Sequence, residues 1–239
     1  MLISTNAIIL KTIPYGDNSI ISRLFTEDYG KITVMAKGVW KPKKTTGSIL
    51  EIMNHIHLVY YHKKNRDIQI LKDAGLIHQF SILRSKLDRI ILGQTIVEVL
   101  DKSTGENNSI PILYRLGWRV LEKMNNANVN FWMVFVFYLY QLSLRLGFMP
   151  NLTTCYKCQS VLNHAFIDEK LGELICHDCS THSKLPLNKN SLIFLQKLEN
   201  IHLDEIAAEI KNPSEMFNAL HFLEIFNCFH LEGMNKVRS

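Results

Sequence analysis

Residues 155–179 read CYKCQSVLNHAFIDEKLGELICHDC, a stretch in which two Cys-x-x-Cys pairs are separated by 17 residues. A zinc ion binds four ligands in a tetrahedron, and each Cys-x-x-Cys turn brings two thiolates onto one ion. The spacing therefore predicts a four-cysteine zinc ribbon whose ligands are Cys155, Cys158, Cys176 and Cys179.

The residues between the two pairs are typical of a hairpin. Residues 166–168 and 173–175 can form its arms, and Gly172 tolerates the positive φ of a tight turn. Four thiolates close the coordination sphere, so we expect one structural Zn²⁺ that does no chemistry. The alternatives are disulfides or a thioredoxin-like redox pair, but the spacing and the lack of a βαβ pattern favour zinc.

Length and composition indicate an ordinary globular protein, with 239 residues, 47% hydrophobic and 21% charged. The amino terminus has no cationic stretch followed by an apolar one, so we predict a cytoplasmic protein without an export signal. The most apolar run, residues 131–140, is half as long as the roughly 20 residues that cross a bilayer. We therefore interpret it as a buried helix and expect no membrane association.

The net charge of +5 is distributed unevenly along the chain. Residues 1–80 contain 11 Lys and Arg against 6 Asp and Glu, whereas residues 151–239 contain 8 against 11. A polyanion would therefore be attracted to the amino-terminal third.

Apolar residues alternate with period two from residue 7 to residue 77, which indicates short antiparallel strands. We predict five of them, over residues 7–13, 19–25, 31–37, 49–61 and 66–71. Five strands in about 70 residues suit a closed OB-fold barrel. The predicted fold class is α+β, with an OB-fold domain over residues 1–78 and an all-helical domain over residues 79–239. The zinc ribbon is embedded in the second domain at residues 151–182.

The third predicted strand places Lys31 and Lys37 on one face, which we expect to be exposed to solvent. It leads into the most cationic loop of the chain, residues 38–47, which holds one aromatic and three lysines. These are Trp40, Lys41, Lys43 and Lys44. Lysines that pair with phosphates and an aromatic that stacks on a base are typical of single-strand binders. Alternatively, the loop is only a soluble turn and Trp40 caps the barrel.

Helical periodicity begins near Leu83, and later helices are expected to start at Ser109, Asn130, Asn188 and Asn212. His55 and His57 lie two apart on the predicted fourth strand. We interpret them as surface residues because no third metal ligand accompanies them.

The chain lacks the motifs of the common catalytic sites. It has no G-x-x-x-x-G-K-[ST] phosphate loop and no G-x-G-x-x-G, so we expect no nucleotide cofactor. The H-E-x-x-H, G-x-S-x-G and nucleobase deaminase patterns are also absent. Acidic residues near the basic region are too few to suggest a two-metal nuclease. We therefore predict a protein that is not an enzyme.

Four stretches carry a resemblance to a known family. They are YGDNSII at 15–21, LFTEDYGK at 24–31, AKGVWKPK at 36–43 and LGFMPNLTTCYKC at 146–158. The first three resemble the amino-terminal signature of the RecO family of bacterial DNA repair proteins. The fourth is similar to the entry into that family's zinc module.

This resemblance implies an OB-fold joined to a helical domain, in a non-enzymatic mediator of the RecF recombination pathway. It implies binding of single- and double-stranded DNA, annealing of complementary strands, and contact with the C-terminal tail of single-strand binding protein. Together with RecR, such a protein helps to load RecA, which also implies a nucleoid-associated location.

The same resemblance implies DNA-binding roles for basic residues in or beside the matching stretches, namely Arg23, Lys31, Lys37, Lys41, Lys43 and Lys44. Two positions depart from the family pattern: Trp40 precedes lysines where many members have arginines, and Gln159 stands where a glycine follows the first Cys pair. The competing interpretation is a zinc-ribbon DNA-binding or transcription-related interaction protein. The acids of the ribbon outnumber its lysines, which argues against the ribbon as the DNA contact.

Overall fold

The computed structural model describes residues 1–39, 46–168, 171–180, 186–206 and 212–231. Within them the chain divides into two compact units, the first ending at Ala127 and the second beginning at Asn128. The predicted fold class is confirmed, because a closed five-stranded barrel precedes a helical region. None of the helices in the described ranges has the length and apolar character needed to cross a bilayer.

The barrel has the strand order β1-β2-β3-β5-β4, and β1 pairs with β4 to close it. Only the β3–β5 pair is parallel. The five strands and one short helix are β1 (Leu2–Tyr15), β2 (Ser19–Thr26), β3 (Gly30–Lys37), α1 (Thr46–Ile49), β4 (His55–Tyr61) and β5 (Ile68–His78).

The predicted fourth strand is wrong in its first half. Thr46–Ile49 is helical and β4 begins only at His55. The reason is a side-chain contact that a period-two pattern does not contain: the Asn54 amide donates to the carbonyl oxygens of Ser48 and Ile49 at 2.9 and 3.1 Å. These bonds satisfy the free carbonyls at the end of the helical turn. The fifth strand, in contrast, runs seven residues beyond its predicted end at residue 71.

Alternate side chains of the strands fill the barrel. The buried cluster includes Ile9, Leu24, Ile32, Val34 and Ile56. These residues sit at every second position of their strands, as the pleat of a sheet requires. The predicted alternation of β3, with Ile32, Val34 and Ala36 inward, is confirmed.

Alternation in β1 is interrupted by a β-bulge. Ile9 pairs with Leu24, but Lys11 pairs with Arg23, so Leu10 is an extra residue on β1. An extra residue switches the faces of the residues that follow it. Lys11 therefore points outward, although strict alternation from Ile9 would have placed it inside.

Two helices of the same unit, α2 (Leu87–Ser103) and α3 (Pro111–Met124), pack against β1. Their close approach depends on Gly117. A Cβ atom there would lie 2.5 Å from Leu100 Cδ1 and 3.1 Å from Ile8 Cδ1. The prediction that Ser109 caps α3 is wrong. The Ser109 hydroxyl donates to the Glu27 carbonyl instead, and Ile110 occupies the N-cap position.

In the second unit the described residues form three α-helices, a short 3-10 helix over Leu203–Glu205 and a small three-stranded sheet of order β7-β6-β8. The elements are α4 (Phe131–Leu146), β6 (Ala165–Asp168), β7 (Glu173–Ile175), β8 (Pro186–Leu187), α5 (Lys189–Leu198) and α6 (Pro213–His230). The helix starts predicted at Asn130 and Asn188 are confirmed, and each side chain accepts a backbone N–H three residues later. The start predicted at Asn212 is also confirmed, but the Asn212 side chain makes no capping hydrogen bond. The hairpin predicted within the ribbon is the β6–β7 pair, with Gly172 at φ 69°.

Candidate nucleic-acid interface and metal centre

Part of the outer barrel surface is left uncovered by the described residues, and we call it the open face. It consists of three rows of outward side chains that run across the strands. The first row is Lys11, Arg23, Thr33 and Ile68, the second is Ile13, Ile21, Met35 and Ile70, and the third is Tyr15, Ser19 and Lys37. All eleven side chains are exposed or half-buried.

Lys37 and Lys11 are the exposed lysines of this face, in its third and first rows. Among the predicted DNA-binding residues that the structure describes, Lys37 is the one whose side chain is exposed to solvent. Sequence reasoning missed Lys11, because the bulge at Leu10 that turns it outward has no composition signal. It also missed Tyr15, which is exposed at the end of β1.

The expectation that Lys31 faces solvent is wrong. Only 4% of Lys31 is exposed, and its ammonium donates to the Asp101 carbonyl at 2.6 Å and to Asp101 Oδ1 at 3.2 Å. Lys31 does have the same parity as Lys37 on β3, but the end of α2 covers it. This burial is a tertiary effect, and it makes Lys31 a structural cation of the barrel unit.

Arg23 is half-buried at the border between the open face and the covered part. Its Nε lies 3.1 Å from Asp101 Oδ1, and its Nη2 pairs with Glu106. Two carboxylates therefore neutralise most of the charge that Arg23 would offer a phosphate.

Four of the predicted DNA-binding residues, Trp40, Lys41, Lys43 and Lys44, lie outside the described residues. Their role remains a prediction. A second cationic turn joins β4 to β5 and includes the exposed side chains of Lys63, Lys64 and Arg66.

The four predicted metal ligands come together. The sulphur atoms of Cys155, Cys158, Cys176 and Cys179 all lie within 4.8 Å of one another, and the Cys158 and Cys176 sulphurs are 3.6 Å apart. Sulphurs around a tetrahedral ion with metal–sulphur bonds near 2.3 Å are separated by about 3.8 Å. The cluster can therefore hold a metal ion. All four cysteines are free, so the disulfide alternative is not observed.

Hydrogen bonds act on these sulphurs in opposite directions, since those with Cys158 and Cys176 raise the pKa of the Cys179 thiol to about 12, whereas other sulphurs accept bonds that favour the thiolate. The Cys176 N–H donates to Cys155 Sγ at 3.3 Å. The Ser160 hydroxyl, 3.1 Å from Cys158 Sγ, lowers the pKa of that thiol to about 6. A lower pKa favours the thiolate, which is the form that binds metal. Gln159 has a φ of 61°, so this position, where the resemblance implied a glycine, adopts the left-handed conformation.

Two family models match the chain and together span nearly all of it. The model described as "Recombination protein O N terminal" matches residues 1–80, and "Recombination protein O C terminal" matches residues 84–236.

Several relatives named DNA repair protein RecO are similar to this chain. The protein of Salinibacter ruber is 36% identical over 62% of this chain and 57% of its own length. That of Prosthecochloris aestuarii is 34% identical over 65% and 59%. That of Chloroherpeton thalassium is 27% identical over 100% and 96%. The chain thus matches less than two thirds of the length of the first two relatives. With both family models matched in order and the barrel and cysteine cluster in place, the chain belongs to the RecO family.

Proposed function

We propose that this protein is a DNA-binding mediator of recombination and repair that binds DNA through the open face and the lysines of residues 41–44. The observation that carries the proposal is the pair of exposed lysines, Lys11 and Lys37, on the uncovered face of a closed barrel in a chain of this family. The partners would be single- and double-stranded DNA, and residues 1–78 would form the DNA-binding domain.

The proposed mechanism is charge neutralisation, with no bond made or broken. Two complementary strands repel each other through their phosphates, and lysines that replace counterions reduce that repulsion. Annealing would follow from this effect. The helical region would hold the C-terminal tail of single-strand binding protein, and together with RecR the protein would help to load RecA onto coated strands in the cytoplasm. This proposal involves no catalysis and no nucleotide cofactor.

A salt titration with fluorescent single-stranded DNA tests the proposal. Replacement of about five phosphate counterions gives a log–log salt slope near −3.5 on single strands. We expect the combined substitutions Lys37→Glu, Lys41→Glu and Lys43→Glu to abolish binding at moderate salt. The matched control is Lys86→Glu, Lys189→Glu and Lys197→Glu, which changes the net charge equally at exposed lysines elsewhere. Affinity that is independent of salt, or equal in the two variants, would contradict the proposal.

We also infer that the ion of the cysteine cluster is one structural zinc, because four thiolates whose sulphurs lie within 4.8 Å of one another suit zinc and leave no open position for a substrate. Metal analysis of the purified chain should give one zinc per chain. Cys176→Ser should lose it, while Cys228→Ser, the control at the cysteine outside the cluster, should keep it. Zinc retained at full occupancy by Cys176→Ser would disprove this assignment.

A further inference from the structure

We infer that the second row of the open face, formed by Ile13, Ile21, Met35 and Ile70, contacts unpaired nucleobases and makes the face selective for single strands over duplexes. This inference rests on the proposed function and adds the form of DNA that the face recognises. We call this second row the apolar row.

The four residues are direct cross-strand neighbours. Ile13 pairs with Ile21, Ile21 with Met35, and Met35 with Ile70, so that the row crosses β1, β2, β3 and β5. Neighbouring strands lie about 4.8 Å apart, which makes the row about 14 Å long. Ile13 is 44% exposed and the other three are half-buried. Their neighbours in sequence, Ile20 and Ala36 among them, fill the barrel instead.

Cations flank this row on both sides. Lys11 lies in the first row and Lys37 in the third. These two rows are four residues apart along each strand, which corresponds to about 13 Å. The ligand that complements such a surface has an apolar face beside a line of negative charge.

A single strand of DNA has that combination of properties, because its bases are free to leave the stack and every base has a π-face. In a duplex the bases are stacked inside and the outer surface is phosphate and sugar. A duplex would still meet the lysines, but it would leave the apolar row without a partner. The lysines therefore serve both forms of DNA, and the apolar row serves only the unpaired one.

The acidic border of the face indicates on which side the phosphates lie. Asp101 and Glu106 pair with Arg23 of the first row, so a phosphate there would meet carboxylates as well as cations. None of the three described residues of the third row is acidic, and the row ends at Lys37. We therefore place the sugar-phosphate backbone along the third row and the bases over the apolar row.

A gain of affinity provides the strongest test, since misfolding cannot produce it. Ile13→Trp adds an aromatic ring to the most exposed position of the row. Stacking on one added ring should tighten binding of a fluorescein-labelled mixed-sequence single strand about five-fold or more. Binding of a duplex of the same length should stay within about two-fold. The matched control is Ile112→Trp, at an isoleucine of α3 that is 47% exposed, and it should change neither affinity.

A loss experiment complements it. Met35→Thr keeps a residue suited to a strand while it shortens the apolar surface. It should weaken single-strand binding several-fold and leave duplex binding and the urea unfolding midpoint unchanged. The inference is overturned if Ile13→Trp and Met35→Thr change the affinities for single strand and duplex equally, or change neither affinity. The latter result is the one expected if the apolar row binds a protein partner. A different result would contradict the proposed function, namely DNA binding that is unchanged in the combined Lys37→Glu, Lys41→Glu and Lys43→Glu variant.

Discussion

At the scale of single residues, Gln159 shows how the first cysteine turn is built. Its N–H donates to the Cys155 carbonyl at 2.9 Å, and its backbone has a φ of 61°. This bond closes the turn that brings Cys155 and Cys158 together. A residue with a Cβ atom is strained in the left-handed conformation by about 1 kcal/mol, whereas glycine is not.

Gln159→Gly should therefore stabilise the metal-loaded ribbon, by about 1 kcal/mol at most since glycine also gains freedom in the unfolded chain. The measurement is thermal or urea unfolding of the holoprotein. Gln159→Ala is the control, because alanine has the same left-handed strain as glutamine and should give no gain. A more stable alanine variant, or a less stable glycine variant, would show that strain at this position is not what limits the turn.

Among the elements, the contact of α3 with β1 and α2 depends on a residue without a side chain. Gly117 leaves no room for a methyl group between Leu100 and Ile8, both of which are fully buried. We expect Gly117→Ala to destabilise the protein by about 1 to 3 kcal/mol, since overpacking forces shifts in the surrounding core. Urea unfolding is the measurement, and Gly75→Ala, where an added Cβ has no atom within 4 Å, is the control. Equal midpoints for the two variants would contradict this packing account.

A chain of hydrogen bonds joins α3 to the barrel through His55. Its Nε2 lies 2.6 Å from the Tyr114 hydroxyl and its Nδ1 lies 3.2 Å from His78 Nδ1, while Trp118 stacks on its ring. Beyond it, His78 Nε2 is 3.7 Å from a Glu122 oxygen. The expectation that His55 is a surface residue was wrong, because α3 buries it. Burial, and then the neighbouring His78, lower the pKa of His55 to about 4.

This shift predicts a pH dependence of stability with a defined sign. His55 has a pKa near 6.5 in the unfolded chain and about 4 in the folded protein. Between these two pH values the unfolded chain therefore binds a proton at His55 that the folded protein does not. The free energy of unfolding should therefore decrease as the pH falls through this window, by up to about 3 kcal/mol, and should not depend on His55 above it. Urea unfolding at several pH values measures it. His55→Gln should flatten the profile, while His57→Gln, at an exposed histidine, should preserve it. A profile unchanged by His55→Gln would contradict this assignment.

At the scale of the whole molecule, the cysteine cluster and the open face belong to different compact units. A structural metal stabilises the part of the chain that supplies its ligands. Removal of the ion by a strong chelator should therefore unfold the ribbon and leave DNA binding by the barrel nearly unchanged. Tryptic cleavage within residues 151–182 reports the ribbon, and the salt titration reports binding. DNA affinity that disappears with the metal would show that the barrel does not bind on its own.

The prediction of the fold from sequence was accurate where local pattern decides structure. The alternation of β3, the helix starts at Asn130 and Asn188, and the two Cys-x-x-Cys turns are each set by residues close in sequence. The prediction failed at Lys31 and His55, because helices that follow much later in the chain cover them. It failed at Thr46–Ile49 as well, where the amide of Asn54 closes a turn.

The sequence by itself determined the five-stranded barrel, the helical region and the convergence of four thiolates, since periodicity and ligand spacing express local backbone geometry. Only the tertiary structure decided which cations remain on the surface. The bulge at Leu10 turned Lys11 outward, and Asp101 pairs with the buried Lys31 and the half-buried Arg23. Solvent exposure depends on what packs over a residue, and the residues that pack there lie about 70 positions away in the chain.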